Sequence, residues 1–151
     1  MISIEEWNQI VTTGGDEEIM MNFDYLPDED IISVIQYADG EICNGGFFQY
    51  YSNGIFDAKQ HCEYLLLVGL PSLAQIVQQS LEVFPGGLQP KRSPQDVNPI
   101  DKQVLALVGS KSRFDDLDSA YYADCELIFG ACANWVRQNP DHYWQVINGE
   151  L

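Results

Sequence analysis

Asn44-Gly45-Gly46-Phe47-Phe48-Gln49-Tyr50-Tyr51-Ser52-Asn53 is the stretch around which this chain is organised. Adjacent glycines free the backbone for positive φ or for the close approach of another segment. Asn44, just before them, suits a cap or a turn. Phe47, Tyr50 and Tyr51 then recur at helical spacing, which predicts a short helix with an aromatic face. Gln49 and Asn53 lie four apart and share another face. Two readings follow. In one the stretch is an architectural turn that starts a core helix, so Asn44, Gly45, Gly46, Phe47, Gln49, Tyr50 and Asn53 are structural. In the other, Gln49, Tyr50 and Asn53 build a ligand site.

Working outward, the chain before this stretch is rich in acids. Residues 1–58 hold 12 Asp and Glu and no Lys or Arg, while the remainder holds 11 acids and all 7 basic residues. The net charge of −16 over 151 residues is therefore concentrated in the first third. Such a chain repels nucleic acid and anionic membranes and attracts basic surfaces. Hydrophobic residues make up 46%, enough for the packed core of one domain spanning 1–151.

Helix signals recur along the chain. Ser3 and Glu6 form a capping box, with a first helix to about Thr12. Asp16-Glu17-Glu18 suits a second helix start, with a helical piece to Leu26. Asp28-Glu29-Asp30 opens a buried helix that runs toward Asn44. Further helices are predicted over Ala58–Val68, Ser72–Phe84 and Lys102–Gly109, with Gln89–Pro99 as the longest loop. Asp115-Asp116-Leu117-Asp118 opens one long helical region carrying a core stripe of Tyr121, Tyr122, Cys125, Ile128, Phe129, Cys132, Trp135 and Val136. Asn139-Pro140 ends it, and one more helical turn or a docking tail follows. No segment alternates as a strand, so the expected fold is all-α, a single bundle of about six to eight helices.

Chemistry-bearing patterns are scarce. No nucleophile elbow, phosphate-binding loop, zinc-protease or dinucleotide motif occurs. His61 and Cys62 are adjacent, so on a helix they point about 100° apart and cannot pair as base and nucleophile. Asp115, Asp116 and Asp118 fit a helix N-terminus better than a Ca²⁺ loop. Cys43, Cys62, Cys125 and Cys132 form no C-x-x-C pair and are expected to be buried free thiols. No catalytic residue, metal or cofactor is therefore expected. Met1 is followed by Glu5 and Glu6 rather than by a basic segment, and the most apolar run is interrupted by Pro71, so a cytoplasmic location is expected.

The motif N-G-G-F-x-Q-Y-x-x-N, then Phe84-Pro85-Gly86-Gly87, then Leu117-Asp118-x-x-Tyr121-Tyr122 resembles a bacterial family of mostly uncharacterised proteins that includes a DNA mimic. The resemblance covers about residues 28–138, with the acidic N-terminal helices 1–27 outside it. It implies an all-helical fold. It further implies acidic side chains that bind a transcription factor, and its mimic suggests a homodimer. The acids that could imitate phosphates are chosen on charge density alone: Glu5, Glu6, Asp16, Glu17, Glu18, Asp24, Asp28, Glu29 and Asp30, with Asp39 and Glu41 beyond these nine. Carboxylates three or four apart on a helix lie about 5–6 Å from one another, close to the phosphate spacing along one strand. The expected partner is a basic protein, such as a DNA-binding transcription factor. An immunity protein that neutralises a basic nuclease has the same physics, and a small-ligand or enzymatic domain centred on residues 44–53 is a third reading.

Overall fold

Capping chemistry decides where most helices begin. In the computed structural model, which describes residues 1–23 and 26–151, the Ser3 side chain accepts from Glu6 N while Glu6 accepts from Ser3 N, and α1 runs Ile4–Thr13. α2 is short, Asp16–Met20, with three acids in its first turn. Asp30 caps α3, Ile31–Asn53, by accepting from Ile32 N at 2.9 Å. Asp57 caps α4, Ala58–Leu67, and Pro71 opens α5, Pro71–Glu82. After a loop come α6, Asp101–Val108, α7, Asp115–Asp124, α8, Leu127–Gln138, and α9, Pro140–Ile147. Nine α-helices and no strand form among the described residues, so the fold is all-α. No helix among them is long and apolar enough to cross a membrane.

α3 is the central element, packing against α4, α6, α7 and α8. It is not straight. Gly45 (φ −148°, ψ 19°) and Gly46 (φ 70°, ψ −171°) leave helical geometry and split it into two segments. The central motif therefore sits on a kink inside a helix. At such a break the N–H groups of the second segment and the carbonyls of the first lose their helical partners. α7 supplies replacements. Asp118 Oδ1 accepts from Phe47 N at 2.9 Å, and the Tyr122 hydroxyl donates to the Ile42 carbonyl at 2.9 Å. A Cβ on Gly46 would lie 2.5 Å from Asp118 Oδ2, so only glycine combines this φ with this approach.

The second segment of α3 turns its aromatic face inward. Phe47, Tyr50 and Tyr51 are all buried. Phe47 packs on Phe114 and Tyr121, and Tyr51 meets Phe84 edge-on at 4.7 Å between ring centroids. The Tyr51 hydroxyl pairs with Ser80 Oγ at 2.7 Å, and Tyr50 with His61 Nδ1 at 3.1 Å. His61 is fully buried, and burial lowers its pKa from the usual 6.5 to about 3.

Two expectations fail at junctions. The helical piece expected to reach Leu26 stops at Met20. The long helical region breaks at Cys125–Glu126, where Ile128 N bonds the Cys125 carbonyl in a tight turn. That turn re-aims α8. Ile128, Cys132 and Val136 point inward, whereas Tyr122 and Phe129 remain 45% and 43% exposed rather than joining one stripe.

Two outcomes follow for stability. Phe47→Ala removes a fully buried ring and is expected to destabilise the fold by about 3–5 kcal/mol, measured by chemical denaturation. His61 has a folded pKa below its unfolded one, so its contribution is complete above about pH 6.5 and is lost as pH falls toward 3. Between about pH 6 and pH 4 the parent is expected to lose stability more steeply than His61→Gln, by roughly 1 kcal/mol per pH unit. Parallel pH profiles of the two proteins would contradict this.

Candidate functional site

The amides of the central motif converge on one carboxylate. Gln49 Nε2 donates to Glu41 Oε2 at 3.0 Å, and Asn53 Nδ2 makes a short bond to the same oxygen. In a straight helix Glu41 would lie about 12 Å from Gln49 and 18 Å from Asn53 along the axis. The kink at Gly45–Gly46 brings them together. Asn44 Nδ2 also reaches Gln49, at 3.4 Å. Gln49, Tyr50 and Asn53 thus hold neighbours in place, and Tyr50 is only 1% exposed.

Glu41 lines a half-open cavity of about 820 Å³ between α3 and the start of α4. Asp28, Glu29 and Asp57 line it too, and among the described residues no Lys, Arg or His does. Its apolar wall includes Tyr37, Phe56 and Tyr64. Asp57 is oriented by its capping bonds to Lys59 N and Gln60 N. Gln49, Tyr50 and Asn53 do not line the cavity. Charge density alone misses Asp57; it reaches Glu41, whose amide partners come from the kink.

The nine acids chosen on charge density divide into two sets. Glu5, Glu17, Glu18, Asp28 and Glu29 are exposed and enter no ion pair among the described residues. The others are engaged or undescribed. Glu6 closes the capping box, and its backbone bond to Ser3 holds its carboxyl below the ordinary range. Asp16 is 2.7 Å from Arg137 Nη1, tying α2 to α8. Asp30 caps α3 and also meets the Tyr143 hydroxyl at 3.3 Å and His142 Nε2 at 3.4 Å, with its side chain 7% exposed. Asp30 is built into the fold rather than displayed. Asp24 lies outside the described residues.

The thiols also differ from expectation. Cys62 and Cys132 are buried, but Cys43 is exposed and Cys125 half-buried. Cys43 lies on α3 just before the kink, and Cys125 lies in the turn after Asp124.

No curated protein and no solved structure matches the chain. A family model described as DMP19-like protein matches residues 24–139, which include the kinked helix, the cavity-lining residues and all of α7 and α8. The chain belongs to the DMP19-like protein family.

Proposed function

We propose that this chain is a non-enzymatic acidic binding protein that occupies the DNA-binding face of a basic protein, as a DNA mimic does. The cavity carries the reading. Four carboxylates ring it, and among the described residues no basic residue lines it and none of the four is ion-paired. A concave site of one sign focuses the field and raises the local concentration of opposite charge. Three aromatic side chains beside the carboxylates suit a guanidinium, which stacks on rings while bonding a carboxylate in two places. Glu17 and Glu18 on α2 add exposed negative charge outside the cavity. The DMP19-like family membership and the resemblance to a DNA mimic support the same reading.

In this mechanism the acids take the place of phosphates. Arginines that contact DNA phosphates meet Asp28, Glu29 and Glu41 instead, and the partner leaves its DNA. Encounter is fast and weakens with salt. No proton transfer or covalent step is involved.

The test uses immobilised protein and lysate at low and high salt, followed by competition for labelled DNA with the purified partner. A DNA-binding protein retained at low salt, released at high salt and displaced from its DNA is expected. The Asp28→Asn, Glu29→Gln double variant should weaken capture at least about ten-fold, or about 1.4 kcal/mol, with an unchanged melt. Capture unaffected by that variant, or a partner that keeps its DNA, would sink the proposal. A nuclease partner whose cleavage stops would move the role to toxin neutralisation on the same surface.

A further inference from the structure

We infer that Asp39, Cys43 and Cys125 form a binding site for one thiophilic divalent cation, with Zn²⁺ as the natural occupant. One carboxylate oxygen and two sulfurs, contributed by α3 and the end of α7, all lie within 4.8 Å of one another. Asp39 and Cys43 are four apart and share one face of the first segment of α3. Cys125 comes from the turn that separates α7 from α8, so the site forms only when the two elements pack. The set is already converged, since Cys43 Sγ–H donates to Asp39 Oδ1 at 3.4 Å.

The donor chemistry selects the metal. Two thiolates and one carboxylate favour zinc over calcium or magnesium, which take oxygen donors. Three protein ligands leave the fourth tetrahedral position to water, and exposed Cys43 gives solvent a way in. The outer contact that metal carboxylates use is present: the Tyr121 hydroxyl donates to Asp39 Oδ1 at 2.7 Å and fixes the carboxylate. Binding replaces two S–H protons with two S–metal bonds and releases both protons to solvent. Because the thiols must lose their protons to bind, uptake strengthens as pH rises.

Position gives the site its consequence. Cys43 is two residues before Gly45, and Cys125 follows Tyr122, which bonds the Ile42 carbonyl. A bound ion would clamp α3 to α7 beside the kink and stabilise their junction. It would do so without occupying the acidic cavity.

Cobalt titration of the reduced, metal-free 151-residue chain tests this. One equivalent is expected to give thiolate-to-cobalt charge-transfer bands and tetrahedral d–d bands, which one equivalent of zinc abolishes. The Cys43→Ser, Cys125→Ser double variant should lose the bands while melting like the parent in metal-free buffer. Tyr121→Phe should keep them but weaken affinity by about 10- to 100-fold. Absence of charge-transfer bands in the reduced parent would overturn the assignment. So would bands that survive in the double-serine variant, since Cys62 or Cys132 would then supply the ligands.

Discussion

The bond from the Phe47 N–H to the Asp118 carboxylate is the contact on which the rest depends. A helix broken in its interior exposes amide and carbonyl groups at depth, and each unmet group costs about 1–3 kcal/mol. Here α7 meets a donor on one side of the break and an acceptor on the other, through Asp118 and Tyr122. Asp118 itself is raised in pKa, chiefly by burial, with the Phe47 bond pulling the other way. The carboxylate is therefore held where its charge is useful although the site partly desolvates it. Gly46 permits the approach because it brings no Cβ into the space Asp118 occupies.

Once the kink is fixed, two faces of the second α3 segment acquire separate tasks. The aromatic face closes the core. Phe47 and Tyr51 meet Phe84 from the segment after α5, Phe114 from the segment before α7, and Tyr121 from α7 itself. The three sequence landmarks are thus parts of one cluster, although 71 residues separate Phe47 from Asp118. The amide face holds Glu41. Its geometry is inherited from the kink, because no straight helix brings residues 41, 49 and 53 to one point.

What the sequence revealed follows the range of each interaction. The Ser3–Glu6 box, the Asp57 cap, the Pro71 start and the all-helical class rest on contacts within a few residues, so local pattern suffices. The adjacent glycines allow positive φ or a close approach, and Gly46 shows both. The partner of that glycine is not legible, because Asp118 reads locally as an ordinary helix N-terminal acid. The same blindness affected the acidic rows. Asp30 and Asp16 look like Glu29 and Glu17 from their neighbours alone. Only the return of α8 and α9 brings Arg137, His142 and Tyr143 against them. Cys125 reads as part of a continuous helical stripe, and the tight turn after Asp124 leaves it half-buried.

The last turn of α3 before the kink carries two different chemistries, and helix geometry keeps them apart. Asp39 and Cys43, four residues apart, face α7. Glu41 lies between them in sequence and about 200° around the axis from Asp39, so it faces the cavity instead. The observed contacts agree: Asp39 meets Tyr121 from α7, and Glu41 meets Gln49 and Asn53 beside α4. The acids that would attract a basic partner are thus separated by the helix body from the thiols that would hold a metal. A cation bound at Cys43 would reach the cavity in two ways, by stiffening the kink that positions Glu41 and by its charge acting through the helix body. Salt separates them, because only the charge effect is screened, over about 8–10 Å at physiological ionic strength.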